Sequence, residues 1–235
     1  MNEKSGNNRI TELDAARGIA VLCMVVVHVL AFGKKFGGWD YEWSAFFTFV
    51  KQYGGAFFVI LSGVCATLSS RLFKRGVIVF CCGMALTGVT YWLCHSGRED
   101  ETVLIQWGVL HCIGVCMMLW PVLKKLPVWA RFALGAVIVV AGYYIRSYVY
   151  VRSSWLFPLG LRWWDFAAFD YFPLMPHLGW FMIGSGIGAA VYKDRKPLFP
   201  SLKPGALAFI GRNSLFIYLI HLPLLYVIFR TGGKP

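Results

Sequence analysis

The sequence predicts an all-α fold, a polytopic membrane bundle of about seven transmembrane helices that forms a single domain over residues 1–235. The first observation behind this prediction is the composition, because 58% of the residues are hydrophobic and only 14% are charged. A soluble domain normally has about 25% charged residues. The second observation is a series of apolar segments of roughly 17–25 residues, the length that the ~30 Å hydrocarbon core of a bilayer requires.

The predicted helices lie near residues 14–33, 45–69, 76–95, 103–122, 131–151, 171–192 and 205–229. The first is the shortest in purely apolar terms, so we expect its ends to lie in the membrane interface or in a protein-lined cavity. The second contains FFVILSG, which ends in a small polar Ser-Gly turn that could let helices approach a cavity. The third ends before the acidic loop HSGREDET, and the fourth contains QWGVLHCIGV.

The last three predicted helices follow basic or proline-containing segments. The fifth follows LKKLPVWAR, and the sixth begins in DYFPLMPHLGWF, whose prolines predict an ordered re-entrant or interfacial stretch. Within the sixth, Gly184 and Gly188 form a G-x-x-x-G face, which predicts packing against another helix rather than phosphate binding. The seventh is predicted as one helix, with Arg212 and Asn213 near its start.

The net charge of +12 reflects membrane topology, because Lys and Arg concentrate in the short loops. The basic segments 69–76, 123–131 and 192–203 fall on one side if seven helices alternate. By the positive-inside rule, this side is cytoplasmic, which places the N-terminus inside and the C-terminus outside. The same distribution argues against nucleic acid as a partner.

The seven cysteines lie almost entirely within apolar segments. An odd number scattered in this way is not a disulfide framework, and buried free cysteine behaves as a small hydrophobic residue. Neither a His-x-x-x-His nor a C-x-x-C spacing is present, so we predict no metal site. The sequence also lacks the G-x-S-x-G elbow of many serine hydrolases.

Arg17 and His28 stand at the two ends of the apolar stretch RGIAVLCMVVVH in the first helix. They are 11 positions apart, so at about 100° per residue they share one helix face and lie about 16 Å apart along the axis. Asp14 lies three residues before Arg17 and could pair with it. Ionisable groups inside membrane spans usually face a bundle interior or a cavity, although Arg17 could instead anchor the helix in lipid headgroups.

Polar residues in the later helices extend this pattern. His111 lies inside the fourth predicted helix, whereas Asp170 and His177 bracket the start of the sixth. In the seventh, three residues share one face: Ser214, Tyr218 and His221. Arg212 and Asn213 precede them, at a helix N-terminus that favours an anion such as phosphate.

Five segments together resemble a known family. RITELDAARGIAVLCMVVVHVL, GGAFFVILSGVCATLSSRL, WGVLHCIGVCMML, DYFPLMPHLGWFMIGSGIG and IGRNSLFIYLIHLPLL are similar, in this order, to the motifs of the bacterial heparan-alpha-glucosaminide N-acetyltransferase-like catalytic domain family. This family belongs with the wider transmembrane acyltransferases, including acyltransferase family three, whose first helix carries an Arg-x10-His motif. Arg17 and His28 have that spacing.

The resemblance implies an enzyme of the bacterial inner membrane that moves an acetyl or other acyl group from cytoplasmic acyl-CoA to a hydroxyl or amine. The acceptor would be a small molecule, a sugar or glycoconjugate, reached from the outer side, and the other partners would be membrane lipids. The family's polar motif positions correspond to Arg17, His28, His111, Asp170 and Arg212.

We therefore expect three functional groups. The catalytic group is His28, His111 and Asp170; the donor-binding group is Arg17, Arg212, Asn213 and Ser214; the acceptor-binding group is His177, His221 and Tyr218. His28 is the candidate base, in either direct transfer or an acyl-histidine route. The alternative function is a small-molecule or proton-coupled transporter, since intramembrane His and Arg suit that role too. A homo-oligomer is compatible with the sequence.

Overall fold

The computed structural model describes residues 10–166 and 168–232, and this part of the chain is mainly helical. Its α-helices are α1 (Thr11–Phe36), α2 (Ala45–Ala66), α3 (Leu72–His95), α4 (Val109–Leu123), α5 (Val128–Tyr148), α6 (Leu174–Val191), α7 (Ala206–Arg212) and α8 (Ser214–Gly232). Short 3-10 helices cover Glu101–Val103 and Ser154–Leu159. Within the described residues, β-pairing is limited to two isolated bridges, Trp107 with Tyr171 and Tyr150 with Arg162. The predicted all-α class is confirmed.

Five of these helices are long and apolar enough to cross a membrane: α1, α2, α3, α5 and α6. A sixth span exists if α7 and α8 count as one bent segment. The apolar helix α4 has 15 residues, fewer than the roughly 17 that a perpendicular span needs. Five to six spans in the described chain support the membrane class, whereas the count of seven and the orientation of the termini remain predictions.

The last predicted helix, 205–229, is not one helix, and the prediction is wrong on this point. The segment breaks at Asn213, and α7 and α8 are bent by 80° relative to each other. The backbone of Asn213 leaves helical geometry (φ −99°, ψ 16°), and its side-chain Nδ2 donates to the Phe209 carbonyl at 2.9 Å. Asn213 therefore ends α7 instead of continuing it, because its short amide competes with the helical hydrogen bonds.

The fourth predicted helix, 103–122, begins six residues later than expected. Residues 104–107 are extended and lie beside residues 169–172: the Phe169 N–H donates to the Leu104 carbonyl at 3.0 Å, and the Phe172 N–H donates to the Trp107 carbonyl at 2.8 Å. The carbonyls of Leu104 and Trp107 are thus satisfied outside a helix, and α4 starts only after Gly108.

The chain divides into two compact units. The middle unit is residues 55–191, and the terminal unit comprises the residues on either side of it, with the boundary inside α2 at Gly54 and Gly55. The middle unit thus contains the end of α2 together with α3 to α6, and the terminal unit contains α1, the start of α2, α7 and α8. The predicted single-domain organisation remains a prediction.

Glycines allow the helices of the middle unit to pack backbone against backbone. A Cβ on Gly184 of α6 would collide with the Ile60 carbonyl of α2, and a Cβ on Gly188 would lie 2.6 Å from the Val64 carbonyl. In the other direction, a Cβ on Gly63 of α2 would collide with the Phe181 carbonyl of α6. The predicted packing role of the G-x-x-x-G face is confirmed, and its partner is α2.

Replacing Gly184 with alanine is expected to destabilise the protein, whereas Gly88→Ala is not. The new methyl at 184 meets a backbone oxygen that cannot move away alone, and overpacking of this kind costs about 1–3 kcal/mol. Gly88 lies within α3 with nothing within 4 Å of its would-be Cβ, so alanine there improves helix propensity. Thermal unfolding in detergent should show a lower Tm for Gly184→Ala alone. An equal Tm for both variants would contradict the packing role.

In the terminal unit, α1 is in close contact with α7. A Cβ on Gly18 would collide with the Leu207 carbonyl, and a Cβ on Gly211 would collide with the Asp14 carbonyl. Further along, α8 runs beside α1 in the same direction: His221 contacts His28, and Tyr226 contacts Phe36. One face of α1 therefore packs against α7 near its start and against α8 further along.

Many large apolar side chains remain exposed along the long helices. Examples are Phe46, Phe49, Ile78, Val89, Val137, Val140, Phe216 and Val227, which are between 52% and 69% exposed. A soluble monomer rarely exposes so much apolar surface, because burying it in an apolar environment is favourable. These side chains are suited to contact with lipid chains, in agreement with an integral membrane protein.

Candidate active site

Two histidines of the terminal unit are in contact, one from α1 and one from α8. His28 Nδ1 and His221 Nε2 are 3.0 Å apart, and the ring centroids are separated by 5.0 Å. His221 is 6% exposed, and the adjacent Tyr218, whose ring lies edge-on to His221, is 4% exposed. One predicted acceptor-binding residue, His221, thus contacts the predicted catalytic histidine, and another, Tyr218, packs against His221.

The hydrogen bonds assign a tautomer to each ring of this pair. His221 Nδ1 lies 2.7 Å from the Tyr218 carbonyl and 3.2 Å from the Ile217 carbonyl. A carbonyl oxygen only accepts, so His221 Nδ1 carries a proton and, in the neutral ring, Nε2 is an acceptor. His28 Nδ1 must then carry the proton that it donates to His221. It follows that in neutral His28 the lone pair is on Nε2.

The four predicted donor-binding residues lie around the contact between α1 and α7. Arg17 is next to Gly18, and Gly211, whose backbone touches α1 at Asp14, immediately precedes Arg212. Asn213 uses its amide to end α7, and Ser214 is the first residue of α8. The break between α7 and α8 therefore brings these residues to the Arg17 end of α1, and His221 to the His28 end.

The guanidinium of Arg17 is half-buried and has no hydrogen-bond or ion-pair partner within the described residues. The expected pair with Asp14 is not formed there, although the two side chains are only one turn apart. Arg212 is exposed and likewise has no partner among the described residues.

In the middle unit, Asp170 lies against the N-terminus of α4. Its Oδ2 accepts the Val109 N–H at 3.3 Å, and a Cβ on Gly108 would lie 2.5 Å from the same oxygen. The carboxylate is 8% exposed and sits where the helix dipole favours negative charge. The pairing of residues 104–107 with 169–172 holds Asp170 in this place.

His111 uses both ring nitrogens within the middle unit. Its Nδ1 accepts the Gly108 N–H at 3.2 Å, so Nε2 carries the proton and donates to Thr87 Oγ1 at 3.3 Å. Thr87 in turn donates to the Ile105 carbonyl at 2.6 Å. The ring is 1% exposed and stacks on Trp107. These contacts give His111 a structural part at the start of α4, and its catalytic role remains a prediction.

His177 lies at the start of α6 and also has a defined tautomer. Its Nδ1 donates to the Pro173 carbonyl at 2.7 Å, which leaves the Nε2 lone pair of the neutral ring as an acceptor. Just before α6, the Tyr171 hydroxyl donates to the Phe157 carbonyl at 2.6 Å. Burial raises the pKa of this hydroxyl to about 12, against the opposing charges of Arg162 and Arg146, so Tyr171 stays protonated.

The sequence pattern of the family described as "Heparan-alpha-glucosaminide N-acetyltransferase, catalytic" matches residues 9–223. The chain belongs to this family. No curated protein and no solved structure matches it. Membership indicates a membrane acetyltransferase and implies acetyl-CoA as the co-substrate. The match runs through both compact units, and α1 with its two polar residues lies at its beginning.

Sequence reasoning for this acetyltransferase missed several residues that hold the polar side chains in place. Thr87 supports His111, Gly108 makes room for Asp170, and Gly18 with Gly211 brings α7 against α1. Gly108 directly before a helix was a usable signal, since glycine is tolerated at N-caps. Among the described residues, no group of three or more His, Cys, Asp or Glu side chains could hold a metal ion.

Proposed function

We propose that this membrane acetyltransferase takes the acetyl group of acetyl-CoA from the cytoplasmic side and transfers it to a hydroxyl or amine of a sugar or glycoconjugate on the outer side. The main support for this proposal is the arrangement of polar residues in the terminal unit. One face of α1 has Arg17 at one end and His28 about 16 Å further along. The break between α7 and α8 lies near Arg17, and His221 contacts His28.

The donor end is proposed to bind the phosphates of acetyl-CoA. Arg17 and Arg212 are cations without partners in the described chain, and Ser214 begins a 19-residue helix whose first N–H groups favour an anion. Guanidinium groups form strong, charge-assisted hydrogen bonds with phosphate. The pantetheine arm of acetyl-CoA would then extend along α1 toward His28.

At the other end, His28 Nε2 is proposed to act as the general base. It removes the proton of the acceptor hydroxyl or amine while the acceptor oxygen or nitrogen attacks the thioester carbonyl. The tetrahedral intermediate then collapses, the carbon–sulfur bond breaks, and the imidazolium returns the proton to the leaving thiolate. The products are the acetylated acceptor and CoA, and His28 ends in its starting protonation state.

The direction of α1 and α8 supports the proposed topology. The two helices run the same way in the terminal unit, because contacts advance together from His28–His221 to Phe36–Tyr226. If both cross the bilayer, they cross it in the same direction, so the number of spans is odd and the chain ends are on opposite sides. We propose that α4, which is shorter than a full span, supplies the additional crossing together with the non-helical residues 104–108 before it, and that the membrane is the bacterial plasma membrane.

The proposal is tested with purified full-length protein, labelled acetyl-CoA and a panel of sugars, amino sugars and glycolipids. We expect a labelled product with at least one acceptor. We also expect acetyl-CoA to raise the Tm in a saturable way, since a ligand at about 100 times its Kd stabilises by ~2.7 kcal/mol. No product and no shift with acetyl-CoA or propionyl-CoA would contradict the proposal and favour a transporter.

A further inference from the structure

We infer that His221 is a positioning residue that holds His28 in the tautomer needed for catalysis, rather than a residue that contacts the acceptor. This inference rests on the proposed function of His28 as the base. It follows from a directed chain of hydrogen bonds within the terminal unit: His28 Nδ1–H donates to His221 Nε2, and His221 Nδ1–H donates to the Tyr218 carbonyl.

The Tyr218 carbonyl fixes the direction of this chain. Because a carbonyl oxygen can only accept a hydrogen bond, His221 Nδ1 must be protonated. In the neutral ring, His221 Nε2 is then the acceptor, and the proton that it accepts is the one on His28 Nδ1. With His221, the Nδ1–H form is favoured and the lone pair is held on Nε2, the atom that removes the acceptor proton.

His221 also stabilises the cation that forms when His28 takes up a proton. The Nδ1–H of the imidazolium then donates a charge-assisted hydrogen bond to His221 Nε2, which is stronger than the bond of the neutral ring. The arrangement is analogous to a base oriented by a third group, except that a second imidazole and a backbone carbonyl replace the carboxylate. His28 Nδ1 and His221 Nδ1 keep their protons throughout the reaction, and only His28 Nε2 gains and then loses one.

Burial and packing restrict His221 to this geometry. The side chain is 6% exposed, and its Nδ1 is shared between two carbonyls of the preceding turn, those of Ile217 and Tyr218. The ring lies edge-on to Tyr218 at 5.3 Å and tilted against His28 at 5.0 Å. Both ring nitrogens are therefore used inside the terminal unit, so a polar contact from His221 to an acceptor would require breaking one of these bonds.

Asparagine and glutamine at 221 form a matched pair that separates positioning from a structural role. The glutamine amide reaches the position of histidine Nε2, so His221→Gln offers His28 an acceptor oxygen. The asparagine amide reaches only the position of Nδ1, so His221→Asn satisfies the Tyr218 carbonyl but not His28. We expect kcat with labelled acetyl-CoA and glucosamine to fall by up to about 100-fold in His221→Asn, the lower end of the loss for a missing general base, with the KM for glucosamine unchanged. His221→Gln should retain most of the activity.

The tautomer of His28 provides a readout that does not depend on turnover. In ¹⁵N-histidine-labelled full-length protein in detergent, His28 should give Nδ1–H shifts in the wild type and in His221→Gln, and Nε2–H or mixed shifts in His221→Asn. Equal activity of the two variants, or an unchanged His28 tautomer in His221→Asn, would overturn the inference. A rise in the KM for glucosamine with kcat unchanged would overturn it too, in favour of acceptor binding. If the His28 variants show that His28 is not the base, the ¹⁵N shifts still show whether His221 sets the tautomer of His28.

Discussion

His28→Ala is expected to abolish acetyl transfer while the protein remains folded. Loss of a general base typically lowers the rate by about 10²–10⁴-fold, and alanine leaves no imidazole at position 28 to take up the proton of the acceptor. The rate of labelled acetyl transfer should fall to near background. The KM for acetyl-CoA should change little, because the proposed phosphate-binding residues lie about 16 Å away along α1.

His28→Asn distinguishes a base from a structural partner of His221. The asparagine amide places an N–H donor near the position of His28 Nδ1, so the contact with His221 can persist without a base. We expect this variant to be as inactive as His28→Ala but closer to the wild type in Tm. Activity retained in His28→Asn would remove His28 from the chemistry.

His95→Ala is the matched control for these variants. His95 lies at the end of α3, is exposed, and stacks on Tyr91 at a ring separation of 5.8 Å. Its loss removes an imidazole from the middle unit and changes no residue of the terminal unit. Transfer should therefore remain at the wild-type rate in His95→Ala, and a comparable loss there would show that the effect at position 28 is not specific.

Much of the helical framework could be predicted from sequence because lipid exposure demands long apolar segments. α1 is an example: its apolar run and the spacing of Arg17 and His28 were readable directly, and helical geometry puts the two on one face. The same logic overestimated the last helix, because the apolar stretches on either side of residues 211–214 are together long enough for one span. The backbone nevertheless breaks within the polar residues between them, where the Asn213 side chain bonds to the Phe209 carbonyl and α7 ends.

The pairing of His28 with His221 could not be predicted, because it depends on how two helices separated by most of the chain pack together. Next to it, α1 and α7 approach closely at Gly18 and Gly211, a contact that acts through absent side chains rather than through any visible polar pattern. The tautomer of His28 depends in turn on the Tyr218 carbonyl, a backbone group present at every position of a helix. Sequence identified the residue types, and only the geometry assigns a proton to each nitrogen.

Arg17→Ala is expected to raise the KM for acetyl-CoA about 10- to 100-fold with a smaller change in kcat. A hydrogen bond to a charged group contributes about 1.5–3 kcal/mol, and each 1.4 kcal/mol corresponds to a factor of ten in affinity. Arg17→Lys should recover only part of the loss, because an ammonium keeps the charge but lacks the planar donor geometry of guanidinium. Arg75→Ala, an exposed arginine of α3 in the basic segment 69–76, is the control and should leave the KM unchanged.

The phosphate that Arg17 contacts can be identified by repeating the assay with acetyl-CoA that lacks its 3′-phosphate. If Arg17 binds that group, its removal and Arg17→Ala each raise the KM, and the two changes together cost no more than one alone. If Arg17 binds the pyrophosphate, the two losses multiply. Equal and small effects of Arg17→Ala and Arg75→Ala would contradict donor binding at this end of α1. Arg17 would then be an anchor whose guanidinium extends into the lipid headgroups, as long cationic side chains do at the ends of membrane helices.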